Sequence, residues 1–504
     1  VNKQVRLITL VAITALAGCK TDTLMTKVSD FMPGGFNDET PYIQQLTEAR
    51  GKALNGVGVD ADRLRTQSEG RGLIDAPSVE QLMNDHLARL KKASNIEDIE
   101  GQAYISAEKG FAARTSADGN IYIPMGMLSD LENSHQLAAL LAHELSHAIL
   151  NHSNSDMLVT LQKKALLFTQ LTGQFNNDNN EIAPSDKRRI RNVMAMTLVS
   201  DGFLNPGWTR GQEEDADRLG LDLLVAAGYN PEAMNEVLLK LDAWHTQNQA
   251  IKNTHEERQK ALEASVGATD LNAQLNNSLE QLTQSLGKVL TSFSESHPSP
   301  EERIEALKSY VSAHYRRAGR PPMSNDSWTK TINSRETKAL IRAISAVSDA
   351  EQALAKNQTG DALQTVLGQI NSYTKEQNFI RQSLIDIRDA QGKNASVMAN
   401  IRYGLEGRYP SFRLTYEQLL RSNDRTPDAS LLTKLTDSFN NYGKPPAYYP
   451  QLISIADQMD NKLMKTALMT ECRLNYAGEA VACQPNESAQ DQEISYTRFV
   501  NQLL

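Results

Sequence analysis

The stretch that decides the fold runs from Gln136 to His152, QLAALLAHELSHAILNH. Leu137, Leu140, Leu141, Leu145 and Ile149 recur at helical spacing and give the segment an apolar side to bury. His143 and His147 stand four residues apart, on one face of that helix, so two imidazoles can converge on one Zn²⁺. Glu144 neighbours His143, where its carboxylate can reach a water at the metal rather than the metal itself. Two core or solvated histidines on an ordinary helix fit the same spacing. A third ligand separates the two readings.

That ligand is not nearby. Leu150 and Ser153 stand where a metzincin continues with Gly and His, and Leu166 and Leu167 occupy the region where a thermolysin-like site places Glu. His152 lies five residues past His147, roughly 140° away on a continuing helix, and reads as structural. The next candidate is GQEEDADRLGLDLLVAAGYNP, residues 211–231. Glu213, Asp217 and Gly220 share one stripe of a helix. There Glu213 can ligate zinc, Asp217 can orient a ligand from behind, and Gly220 permits close helix approach. Glu214 competes for the role but faces away from Asp217 and Gly220. An acidic first turn also fits simple complementation of a helix dipole.

HELSH, EEDADRLG some 70 residues later and SHPSPEER together resemble the HtpX-like (CAAX-prenyl-endopeptidase-type) zinc metallopeptidases over roughly 76–315. The resemblance implies a mainly α chain: a gluzincin-type metallopeptidase domain with a small β-sheet, then α-helical, degenerate tetratricopeptide-like repeats. It implies one Zn²⁺ per chain held by His143, His147 and Glu213, with Glu144 as general base and Asp217 supporting the site. It also points to His297, Pro298 and Arg303. For His297 three roles stay open: a fourth ligand that holds the enzyme latent, an oxyanion stabiliser, or a cap on the helix beginning near Pro300. Arg303 reads as a structural anchor. Asn120 to Met127 resemble the strand before the family's active-site helix, and a strand at Asn120 to Pro124 is expected to pair with an extended substrate backbone.

The overall plan is most similar to the soluble periplasmic members that handle outer-membrane protein quality control. A polar insert at 245–293 and weak repeats set this chain apart from them. Its expected substrates are unfolded or misassembled envelope proteins. The alternative is a chaperone or assembly adaptor that meets outer-membrane assembly machinery through its C-terminal helices, with the peptidase site latent.

The first residues, VNKQVRLITLVAITALAGC, carry a short basic region at Lys3 and Arg6, an apolar run at Leu7 to Leu16, and Cys19 where cleavage is expected. Leu16-Ala17-Gly18-Cys19 resembles a lipobox. The expectation is a lipoprotein signal peptide at 1–18, lipidation of Cys19, and a periplasm-facing anchor on the bacterial outer membrane. Cys472 and Cys483 then remain, flanking Gly478 in a helix–turn–helix pattern. They read as a disulfide stapling a hairpin, with two buried thiols as the alternative.

The composition agrees with this plan. The chain has 504 residues, 40% hydrophobic, with a formal net charge of −9. The acidic balance argues against a nucleic-acid partner, and three cysteines are too few for a disulfide scaffold. Residues 19–75 read as a tether and a short helical piece, and 76–320 as the metallopeptidase domain. Pro321-Pro322 marks a boundary, and 330–504 reads as helical repeats with turns at Gly360, Gly392, Gly443 and Gly478. Pro77-Ser78 followed by Gln81 predicts a capping box opening a helix. Strands are expected at Ala103 to Ser106, around Phe111 to Arg114, and at Asn120 to Pro124, with a turn at Asp118-Gly119.

Overall fold

Among the described residues, three short strands and one buried helix organise the half of the chain that carries HELSH. The structure, a computed structural model, describes residues 37–46, 58–96, 99–108, 113–152, 210–241, 243–244, 300–323, 326–423, 427–445 and 448–475. The leader at 1–18, Cys19, the insert at 245–293, His297 and Cys483 lie outside these residues.

The sheet has the order β1-β3-β2, with β1 (Ala103–Ser106), β2 (Arg114–Thr115) and β3 (Ile121–Pro124). β1 runs parallel to β3, and β2 antiparallel to it with Thr115 opposite Ile121. Asp118-Gly119 makes the turn into β3: Gly119 takes φ +87°, and its N–H donates to Ser116 O at 3.0 Å. β1 is covered on its other side by residues 72–74, where Ile74 N donates to Ile105 O at 2.9 Å. This strand order corrects one expectation. β3 is central: β1 pairs with it along Ile121 to Pro124 and β2 along Ile121 and Tyr122. The first half of the strand expected to take substrate is therefore already paired on both sides, and β2 is the strand at the edge.

Helix α1 (Tyr42–Gln45) and α2 (Val59–Thr66) precede α3 (Pro77–Ala93). α3 begins with Pro77 in its first turn and Ala76 as N-cap, without a side-chain cap. Ser78 is therefore already inside the helix, and the expected capping box does not form; the fixed φ of Pro77 starts the helix instead. After α4 (Met125–Asp130) comes α5 (Ser134–Ile149), which carries the HELSH motif. Asn133 caps α5 by accepting from the backbone N–H of His135 and Gln136 at 3.0 and 2.9 Å. All of α5 except Ala148 is buried, which suits its run of Ala and Leu. The sheet covers one side of it, and α3 and α6 (Arg210–Ala226) cover others.

Residues 232–241 are also helical, and α7 (Pro300–His314) packs on α6. The helices then follow in series: α8 (Asp326–Ile332), α9 (Arg335–Ala355), α10 (Thr359–Leu367), α11 (Asn378–Ala390), α12 (Asn394–Leu405), α13 (Phe412–Ser422), α14 (Ala429–Asn441), α15 (Tyr449–Gln458) and α16 (Lys462–Asn475). Neighbours in this series pack on one another. Gly392 and Gly443 make turns at φ +67° and +70°, but Gly360 sits inside α10 and the left-handed turn before it falls on Asn357, φ +58°.

The core does not stop at Pro321-Pro322. Trp328, Leu340, Val347, Val366, Phe379 and Leu384 belong to the same buried cluster as Leu137, Leu141 and Leu145 of α5. Polar ties cross as well: Arg71 meets Glu351 at 2.6 Å, Arg408 meets Glu80 at 2.8 Å, and Gln377 pairs with the Asp75 backbone at 3.0 and 2.7 Å. A second cluster, from Phe412 to Cys472, forms the far end of the series. Among the described residues no helix is long and apolar enough to cross a membrane.

Candidate metal centre

Helix geometry brings the first two ligands together, with Nε2 of His143 and His147 only 3.3 Å apart. Glu213 enters from the facing α6, its Oε2 3.6 Å from His143 Nε2 and its Oε1 3.8 Å from His147 Nε2. Gly220 is what lets the two helices cross so closely, since a Cβ there would lie 3.2 Å from the His143 backbone. Among the described residues, these three side chains are the one such group whose ligand atoms all lie within 4.8 Å of one another.

The trio fits zinc. Bonds of about 2.0–2.1 Å in a tetrahedron place ligand atoms about 3.3–3.4 Å apart. The two imidazole nitrogens already stand at 3.3 Å, and a single Glu213 oxygen, in a set that lies within 4.8 Å, would move in to complete the trio. Burial, together with His143, His152 and Arg303, holds the pKa of His147 well below the usual histidine value. It is therefore the neutral imidazole that a metal requires. At His143 burial acts in the same direction, but Asp217 and Glu213 outweigh it and raise the pKa. Positive charge is thus favoured where a cation would sit.

Asp217 lies one turn behind Glu213, its Oδ1 3.1 Å from His143 Nδ1. Both of its oxygens accept from Arg303 of α7, Nε to Oδ2 and Nη2 to Oδ1, each at 2.7 Å. Arg303 Nη2 also lies 3.0 Å from Glu213 Oε2. Burial would push the Asp217 carboxyl up, but the guanidinium overcomes it and holds the pKa at about 2. Asp217 touches a ligand rather than the reacting atoms, so it orients the site. Arg303 does more than anchor a helix, because it neutralises two carboxylates of the centre.

Glu144 is buried but stands outside the ligand trio. Its Oε2 accepts from Thr115 Oγ1 at 2.7 Å, and the same hydroxyl lies 2.9 Å from the Glu144 carbonyl oxygen. Burial raises the Glu144 pKa, against the opposing pull of His143 and Thr115. A carboxylate of raised pKa, fastened to the edge strand beside the metal ligands, is suited to take up and release a proton.

The structure therefore assembles His143, Glu144, His147, Glu213 and Asp217. Glu214 is turned aside, 3.5 Å from Arg218. Cys472 is buried and disulfide-bonded; Cys483, like Cys19 and His297, lies outside the described residues. Sequence reasoning did not find Thr115, whose contact with Glu144 crosses from strand to helix. It also set aside His152, which sits buried with Nδ1 2.8 Å from Nδ1 of His147. The available signal was Asn151, a residue type that tolerates the left-handed turn needed to end the helix there.

Comparison with known proteins agrees with this geometry. The model of peptidase family M48 matches residues 77–311. The chain is 21% identical over 238 residues to the mitochondrial metalloendopeptidase OMA1 of Schizosaccharomyces pombe, covering 44% of this chain and 65% of that protein. It is 24% identical over 169 residues to the beta-barrel assembly-enhancing protease of Escherichia coli, covering 34% of each. Metalloprotease YcaL of Escherichia coli is 22% identical over 198 residues, covering 38% of this chain and 73% of that protein. The match to the first two thus spans less than two thirds of their length. These findings support an M48-type metallopeptidase, similar to these proteases at low identity.

Proposed function

We propose that the chain is a zinc-dependent endopeptidase, anchored through lipid on Cys19 to the periplasmic face of a bacterial outer membrane, that cleaves misfolded or stalled envelope proteins. The observation that carries the peptidase reading is the placement of Glu144: next to a ligand, outside the ligand trio, and fixed by Thr115. Zinc bound there would activate the attacking water and polarise the scissile carbonyl. His143, His147 and Glu213 hold that ion, with Asp217 and Arg303 bracing His143 and Glu213. Glu144 accepts the proton as water attacks and hands it to the leaving amine. The edge strand β2, ending at Thr115, is positioned to pair with an extended substrate backbone, which favours unfolded chains over any particular sequence.

The lipobox at Leu16 to Cys19 supports the anchor. The serial helices from α9 to α16 supply surface for outer-membrane assembly partners. Glu144→Gln is the direct test. Zinc should stay stoichiometric while cleavage of an unfolded protein falls by about 10³-fold; cleavage at the wild-type rate would overturn the reading. For the anchor, palmitate labelling should be present in the wild type and lost in Cys19→Ser.

A further inference from the structure

A helix continuing past Ile149 would carry His152 away from the metal site. The chain does otherwise. α5 closes with Leu150 N donating to Ser146 O at 2.8 Å and Asn151 N to Ala148 O at 3.1 Å, and Asn151 then takes φ +52°. That left-handed residue turns the backbone back, so His152 lies buried against the outer edge of His147. The ring centroids are 5.0 Å apart, and Nδ1 faces Nδ1 at 2.8 Å.

The tautomers follow from the ligand geometry. His147 Nε2 is the atom near His143 Nε2 and Glu213 Oε1, so it must present its lone pair to a metal. The ring proton then sits on His147 Nδ1 and is donated to His152 Nδ1, which accepts. His152 also reaches the other half of the centre, because its carbonyl oxygen accepts from Gln212 Nε2 at 3.3 Å, immediately before Glu213.

We propose that His152 is a positioning residue of the metal centre: it fixes the tautomer and ring rotation of His147 and ties the end of α5 to the start of α6. It serves His147 as Asp217 serves His143. The proposal rests on reading His143, His147 and Glu213 as the zinc site. Groups that orient metal-bound histidines typically account for about 10–100-fold in metal affinity.

The test uses the full chain, with zinc affinity measured by chelator competition and the visible spectrum recorded after Co²⁺ substitution. His152→Ala should weaken zinc binding about 10–100-fold and shift the Co²⁺ bands. His152→Gln keeps an acceptor for His147 Nδ1–H and should restore both. The unfolding midpoint of the metal-stripped protein should be alike in all three. Unchanged affinity in His152→Ala overturns the proposal. So does a Gln variant no better than Ala with an equally lowered metal-free midpoint, which would mark a packing role. Failure of the underlying reading looks different, since His143→Ala would then leave zinc binding intact.

Discussion

Two turns of α6 bury the same functional group in opposite ways. Near the middle of the helix Asp217 lies between His143 and Arg303, and its pKa is held at about 2. Five residues on, Asp222 is equally buried, and its positive neighbour is His314, whose pull is the weakest of those acting on it. It accepts from the Ile43 backbone N–H at 2.9 Å and from the Tyr310 hydroxyl at 3.1 Å. Burial dominates there and lifts its pKa to about 6, against the smaller pull of Ile43, Tyr315, Tyr310 and His314. The helix therefore carries one carboxylate kept charged to organise a metal centre and one carboxyl that clasps α1 against α7. What separates them is the guanidinium, not the depth of burial.

Replacing that guanidinium should break the contrast with the largest effect. Arg303→Met leaves Glu213 and Asp217 buried side by side without their shared counter-charge. Removing one partner of a buried pair costs about 3–5 kcal/mol, read by urea denaturation of the metal-free protein. Zinc supplies positive charge next to Glu213, so saturating zinc should recover a larger share of stability in Arg303→Met than it adds to the wild type. Equal gains in both would mean that the arginine is a packing element alone.

The same helix shows how far the sequence could be read. Glu213, Asp217 and Gly220 emerge from a 3.6-residue period, as do His143 and His147, because a helix face is a local property. The serial C-terminal helices were legible for the same reason, through their spaced Leu and Ala. Contacts that return from elsewhere were not. Thr115 meets Glu144 only because a two-residue strand pairs antiparallel with β3. The pairing of β2 over Ile121 and Tyr122 of β3 was hidden because strand order is a tertiary fact that alternation does not encode. His152 was misplaced because one left-handed residue, Asn151, ended the helix that the periodicity continued. Pro321-Pro322 looked like a boundary, yet Trp328 and Leu340 fill the same core as Leu141.

Acidity should sharpen the contrast at Asp222. A carboxyl raised from 3.8 to about 6 on folding favours the fold while it is protonated, and that contribution is lost as pH rises from about 4 through about 6. Asp217 behaves in the reverse sense, contributing above about pH 4 and losing that contribution as pH falls toward about 2. Asp222→Asn removes the first dependence and leaves the second. Between pH 4.5 and 7 the stability of the Asn variant relative to wild type should rise by about 2 kcal/mol, measured by urea denaturation at both pH values. A relative stability that does not change with pH would show that Asp222 is ionised in the folded protein.

Glu144, another buried carboxyl, falls between these extremes, with a hydroxyl where Asp217 has a guanidinium. Burial raises its pKa, and Thr115 supplies a single hydrogen bond at 2.7 Å in place of a full counter-charge. That bond suits a base that must give its proton back, since a guanidinium would hold the carboxylate too firmly ionised. Thr115→Val keeps the shape and removes the donor. Losing one hydrogen bond to a charged group, worth at least about 1.5 kcal/mol, should lower kcat about tenfold. KM and zinc content should hold, because Thr115 touches neither ligand nor metal in this arrangement. Thr115→Ser should recover most of the loss. If the Ser variant is as impaired as Val, Thr115 acts by filling space between β2 and α5, and the position of Glu144 is set by the helix alone.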